Sequence, residues 1–221
     1  MLARSLISEI VPVLRTSDTG KMALSIMDVF KVSHLPIVNS EEFLGLITDS
    51  DIYNMNMADE PIGDHTLSLF RPFVYGDQHI YEVIEVASRL NLSVIPVVER
   101  DEEYLGVITL IDLVKHFSML ICADSPGGVV MLEMHTHDYS LTEISQIVEG
   151  NDAKVLSLYV STHPDSMMVN LTLKINRMDL SAIIQSFERY GYSIVASYSE
   201  NEYSETMLNS RYEEFINYLN I

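Results

Sequence analysis

Apolar residues along this chain fall into two kinds of block, and the order of the blocks repeats. Helix-period blocks place Met22, Ile26, Val29 and Phe30 together in one copy, and Val83, Ile84, Val86, Ala87 and Leu90 in the other. After each comes a pair of β-rich runs: "HLPIV" and "FLGLIT" joined by the polar "NSEE", then "VIPVV" and "YLGVIT" joined by "ERDEE". A second helical block follows each pair, starting at Asp51 or at Asp112. With a short extended segment in front, the predicted order is β-α-β-β-α, written twice.

The two copies align residue by residue. Pro36 matches Pro96 at an offset of 60, and Gly45, Thr48 and Asp51 match Gly106, Thr109 and Asp112 at an offset of 61. The phrase "LGLITDSDI" thus returns as "LGVITLIDL" after a one-residue adjustment in the hairpin. The repeats are expected to be domains over residues 1–61 and 62–121.

Beyond them the pattern changes. "CADSPGG", residues 122–128, reads as a linker by its Pro and Gly content. Residues 129–198 then carry four strand-like runs and two helical ones. "SLTEISQIVEG" should open on a Ser140 cap with Glu143 in the capping-box position, and "DLSAIIQSFERYG" is capped by Asp179 and closed by Gly191. That β-α-β-β-α-β order suits a small antiparallel sheet with two helices on one face. In residues 199–221, Leu208, Tyr212, Phe215, Ile216 and Leu219 fall on one face of a predicted amphipathic tail helix, suited to its own chain, a dimer mate or another protein.

Composition narrows the function. With 221 residues there is length for one large or two ordinary domains. The 13 Lys and Arg stand against 32 Asp and Glu, for a formal charge of −19, and no basic stripe exists to neutralise a phosphate backbone, so nucleic acid is not an expected partner. That charge does not exclude a small anion, because surface charges are screened over roughly 8 Å at physiological salt and only groups lining a pocket decide. No apolar run approaches the roughly 20 residues of a membrane span. The opening "MLARSLISEIVPVL" carries Glu9 within its apolar stretch and reads as structure, not as a signal peptide. The single cysteine, Cys122, excludes an intrachain disulfide framework and fits a reducing cytoplasm, the expected location.

Walker, G-x-G-x-x-G, G-x-S-x-G, H-E-x-x-H and C-x-x-C motifs are all missing, so no enzyme class is indicated. His135 and His137 would share a strand face and could chelate a metal, but further ligands are not visible nearby, and a metal-dependent enzyme is the lesser reading. The repeated phrase carries more chemistry. Thr48 and Asp51, like Thr109 and Asp112, sit where a strand gives way to a helix. A carboxylate there can accept two hydroxyl hydrogen bonds, as the vicinal hydroxyls of a ribose would offer, each worth about 1.5–3 kcal/mol. It can equally do no more than cap its helix, for about 1 kcal/mol.

The pattern h-x-h-P-h-V, a hairpin, then G-h-h-T-x-x-D-h, repeated about 60 residues apart, resembles a tandem pair of cystathionine-β-synthase (CBS) domains, the Bateman module. The continuation from "CADSPGG" through "LSLYVS" resembles the ACT-like domain of the acetoin-utilisation accessory protein family. The resemblance implies an α/β protein: a CBS pair, a ferredoxin-like ACT domain and a C-terminal helix. It implies a non-catalytic regulatory module that takes an adenosine-type ligand such as AMP, ADP, ATP or S-adenosylmethionine in the cleft, with no resident cofactor, and a homodimer. By position the ligand-binding residues are Thr48, Ser50 and Asp51, then Thr109 and Asp112, with His34 near the first phrase and the backbone around Leu35 and Ile95 lining an adenine slot. Many nucleotide-binding members have an arginine before the Asp, where this chain has Ser50 and Ile111, although His34, Lys31, Arg89 and Lys115 are close in sequence. With three polar groups against two, the first site is the one expected to be occupied if only one is. A ligand-free interaction scaffold is the alternative, with Asp51 and Asp112 acting only as caps.

Overall fold

The computed structural model describes residues 1–8, 10–54, 58–65, 69–162 and 167–199, so the predicted tail helix lies outside the described residues. The chain divides into two compact units, Met1–His116 and Phe117–Ile221.

In the first unit, helix α1 (Gly20–Phe30) leads to the antiparallel hairpin β1 (His34–Asn39) and β2 (Glu42–Thr48) and the short α2 (Asp49–Asn54). The second repeat follows as β3 (Val74–Tyr75), α3 (Ile80–Leu90), β4 (Val94–Val98), β5 (Tyr104–Thr109) and α4 (Leu110–Leu120), which continues past the unit boundary. β3 runs parallel to β4, and in the first repeat Leu14 makes the matching parallel bridge to Ile37. The predicted β-α-β-β-α order is therefore present, with the leading strand of the first copy reduced to one bridge.

Equivalent positions fill equivalent cores. Leu14, Ala23, Leu35, Ile37, Ile47 and Ile52 are buried in the first repeat, and Val74, Val83, Ile95, Val97, Ile108 and Leu113 in the second. Each Val, Leu or Ile among them contributes about 1.5–3 kcal/mol by leaving water. The face of α1 that meets this core is Gly20, Ala23 and Met27, whereas Met22 and Val29 stand 51% and 70% exposed. The helix turns its small residues inward because α2 and residue 58 come close: a Cβ on Gly20 would lie 2.7 Å from Ile52 Cγ2 and 3.3 Å from Ala58 Cα. A third cluster, Val38, Phe43, Leu46, Leu92, Val94, Val98 and Val107, draws on both repeats and joins them. The Phe43 and Tyr104 rings, repeat equivalents, stack there with centroids 6.1 Å apart.

The repeats also exchange their leading segments. Ala3 and Leu6 pack in the second core, and Ser8 N–H donates to Val107 O on the edge of β5. Reciprocally, Ile62 and Leu69 pack with the first core, and Leu46 N–H donates to Phe70 O on β2. The glycine of the repeated phrase makes room for these visitors. A Cβ on Gly106 would lie 2.5 Å from Ile7 Cγ2, and one on Gly45 would lie 2.7 Å from Leu69 Cβ; both residues have φ near +150°.

In the second unit, β6 (Gly128–His135), α5 (Leu141–Glu149), β7 (Val155–Thr162), β8 (Met168–Ile175), α6 (Ser181–Arg189) and β9 (Ser193–Tyr198) give the expected β-α-β-β-α-β chain order. The sheet is antiparallel with spatial order β7-β8-β6-β9, which is the ferredoxin-like topology of ACT domains. Its core holds Val130, Leu132, Ile144, Val148, Leu171, Leu173 and Phe187 between sheet and helices. Ser140 caps α5, accepting from Glu143 N–H at 3.3 Å. The Glu143 carboxylate accepts instead from the Tyr192 hydroxyl at 2.6 Å.

Candidate functional site

The repeated Thr-to-Asp phrase folds as a capping box in the first copy and as a Thr cap hydrogen-bonded to the Asp side chain in the second, with the helix starts upstream of both aspartates. α2 begins at Asp49 and α4 at Leu110, so each Thr precedes the helix and each Asp sits in its first turn. Thr48 Oγ1 accepts from Asp51 N–H at 3.0 Å and donates to Asp51 Oδ2 at 2.8 Å, while Thr48 N–H reaches the same oxygen at 2.9 Å. Thr109 Oγ1 accepts from Asp112 N–H at 3.1 Å and donates to Asp112 Oδ2 at 2.8 Å. These bonds fix each carboxylate at the end of a helix whose N-terminal dipole favours negative charge.

The environments of the two caps differ. A cleft of about 200 Å³ opens over the second one. Thr109, Leu110, Ile111, Asp112 and Lys115 form one side and Phe30, Lys31 and Val32 the other, with Ser8 and Val11 from the N-terminal segment and Ser93 completing it. Lys115 Nζ lies 3.0 Å from Asp112 Oδ1, and Lys31 Nζ lies 2.7 Å from Asp28 Oδ1. Burial pushes the Asp112 carboxyl up, but hydrogen bonds from Thr109, Lys115 and Ser8 outweigh it and hold the group below its ordinary value. It is a carboxylate at neutral pH, equipped to accept from hydroxyls. Aliphatic walls at Val11, Val32 and Ile111 suit a flat apolar ring system beside that polar corner.

Around the first box the space is used differently. His34 Nδ1 lies 3.0 Å from both the Ser33 and the Ser93 hydroxyls, which are repeat equivalents, so the ring sits close to the pseudo-twofold axis. Ser93 Oγ also accepts from the Ser33 and His34 N–H groups, each at 3.0 Å. Burial lowers the His34 pKa, opposed by the charges of Asp49 and Asp51. Ser50 donates its hydroxyl to Asp49 Oδ1 at 3.3 Å.

Of the residues predicted from sequence, Thr109 and Asp112 line the cleft and Lys31 and Lys115 join them; Arg89 stands exposed on α3 and does not. Leu35 and Ile95 are not in its wall. Both are 0% exposed, in the middle of their hairpins opposite Ile47 and Ile108, and the residues just upstream in sequence, Val32 and Ser93, take the place expected for them. The cleft described above lies over the second phrase, while the Thr48, Ser50 and Asp51 side chains of the first bond within their own turn. Ser8 and Val11 reach the cleft from the N-terminal segment, whose docking has no local signature in the sequence, and Phe30 reaches it from the end of α1.

In the second unit a cavity of about 420 Å³ lies beside the β6 end and the start of α5. Glu133, Asp138 and Glu143 line it, a poor reception for the carboxylate of an amino acid, and the Ser140 hydroxyl is engaged in its cap. His135 and His137 stack with centroids 5.4 Å apart, the strand having ended in a 3-10 turn at Thr136–Asp138. Among the described residues no group of three or more His, Cys, Asp or Glu could hold a metal ion. Among them, too, no helix is long and apolar enough to cross a membrane.

Comparison with known proteins agrees with the repeat. Residues 3–56 and 68–118 match the CBS domain family model. Among solved structures, a CBS domain pair/ACT domain protein from Thermotoga maritima superposes with a TM-score of 0.48 and 18% identity, covering 54% of this chain and 98% of that one. CBSX2 in complex with AMP gives 0.46 and 16%, over 53% of this chain and 96% of its own. The CBS domain of a bacterial CNNM/CorC family Mg²⁺ transporter in complex with ATP gives 0.42 and 13%, over 52% and 85%. The two β-α-β-β-α repeats, their exchanged leading segments and the family match together identify the N-terminal part of this chain as a tandem pair of CBS domains.

Proposed function

We propose that this chain is a non-catalytic regulatory protein whose CBS pair binds an adenosine-type small molecule in the cleft over Thr109 and Asp112. The observation that carries the reading is the cleft itself. It places an ionised carboxylate, a helix N-terminus and aliphatic walls from both repeats around one cavity. A ribose would donate to Asp112, an adenine would lie between the aliphatic side chains, and binding would couple the two repeats because each contributes a wall. Such a ligand regulates only through different affinity for two arrangements of the protein.

A second reading, a ligand-free interaction scaffold, draws on the two caps, since both carboxylates already have partners within their own phrase. We extend the main proposal to a homodimer, on the grounds that Ile111 and Val114 present exposed apolar side chains on α4. Kinship with acetoin-utilisation accessory proteins belongs to the same proposal, resting on the ferredoxin-like domain that follows the pair.

Thermal unfolding with AMP, ADP, ATP and S-adenosylmethionine separates the readings. A ligand at 100 times its Kd should stabilise the folded state by about 2.7 kcal/mol, visible as a rise of several degrees in Tm. No rise with any of the four at millimolar concentration would favour the scaffold.

A further inference from the structure

The internal repeat allows the two caps to be compared position by position, and their charges differ. Lys31 and Lys115 both line the cleft over Asp112, Lys31 paired with Asp28 at its exposed edge and Lys115 with Asp112. Their repeat equivalents are Asn91 and Asn54, and the counterpart of Leu110 is Asp49. The Thr48 box therefore has two carboxylates, Asp49 and Asp51, at the start of α2 and neither lysine. Both carboxylates bear on His34, whose ring is held by the two equivalent serines.

We propose, building on the reading of the cleft above, that the half-sites are specialised: the Thr109 half-site takes one phosphate-bearing nucleotide per chain, and the Thr48 half-site is closed to anions. Lys31 is the specificity-determining residue. It belongs to the first repeat but lines the second repeat's cleft, and as the left-handed cap of α1, with φ of 54°, its backbone is fixed. Its ammonium leaves the Asp28 carboxylate, which is exposed to water, and meets the phosphate. Lys115 supplies a second cation one helical turn beyond Asp112. Two lysines from different repeats thus line one cleft. Distant carboxylates do not cancel them, because the field of surface charge decays over roughly 8 Å.

The test uses the whole chain titrated calorimetrically with adenosine, ADP and S-adenosylmethionine, the last pairing adenosine with a positive sulfonium and no phosphate. The expected result is one ADP per chain, bound at least tenfold more tightly than the other two, as a charge-assisted contact supplies. Lys31→Asn installs the residue found at the equivalent cap, where Asn91 already tolerates φ of 52°. It should cut ADP affinity about tenfold and adenosine affinity by far less, so that the preference for ADP over adenosine shrinks. Two ADP per chain, adenosine or S-adenosylmethionine binding as tightly as ADP, or an unchanged ADP preference in Lys31→Asn would each overturn the specialisation while leaving the cleft a nucleoside site. Absence of heat with all three would overturn the cleft reading and this inference with it.

Discussion

At the scale of single residues, the chemistry rests on Asp112 and on His34, and acid acts on both in the same direction. The folded pKa of His34 lies below its ordinary value, so the unfolded chain takes up a proton more readily. Stability from this group is complete above the unfolded pKa of about 6.5 and is lost as pH falls from there through the folded value. Nδ1 faces the Ser93 N–H at 3.4 Å, a donor that a protonated ring could not accommodate. The fall in Tm between pH 7.5 and 5.5 should therefore be smaller in His34→Gln than in the native chain; superimposable curves would show that the ring is not linked to folding. Asp112 has its window lower, its contribution being complete above about pH 4 and lost below it as the depressed carboxyl takes its proton. The residue pattern made Thr109, Asp112, Lys31 and Lys115 legible as candidates, since two copies of one phrase advertise a shared role. It could not show that Ser8, Val11 and Phe30 complete the cleft over the second phrase, because those contacts form only when the two repeats pack together.

At the scale of elements, the exchange of leading segments is the feature that the sequence concealed. The hairpins and helices follow from period, and the ferredoxin-like order follows from the alternation of strand and helix runs. Ala3, Leu6 and Ser8, however, look like the start of the first repeat and in fact complete the second. Nothing local distinguishes a segment that packs on its own repeat from one that packs on the next. The repeated glycine is the readable trace, since Gly45 and Gly106 recur where the visiting chain presses on the hairpin. Gly106→Ala should destabilise the first unit by about 1–3 kcal/mol, from φ strain plus the displacement of Ile7. Urea unfolding measures that loss, and a change under 0.5 kcal/mol would show that the segment docks loosely. Removing residues 1–8 should cost more, about 2–5 kcal/mol for the buried Ala3 and Leu6. Amide exchange should then accelerate in β5, which loses its bond from Ser8, before it does in β2, and equal acceleration in both strands would contradict the exchange.

At the scale of the whole molecule, the account is of a paired module followed along the chain by a small ferredoxin-like unit, with a cleft that both repeats line. Its central claim is that the carboxylate of Asp112, set by the Thr109 cap at the mouth of α4, holds an adenosine-type ligand. The most direct test is isothermal titration of ADP into the native chain and into Asp112→Asn. Losing the carboxylate from the cap should lower Tm by only a few degrees, about 1 kcal/mol, so the variant stays folded at 25 °C. The account predicts saturable binding to the native chain and at least a tenfold loss in the folded variant. Binding that survives Asp112→Asn unchanged, or no binding to the native chain, would contradict it.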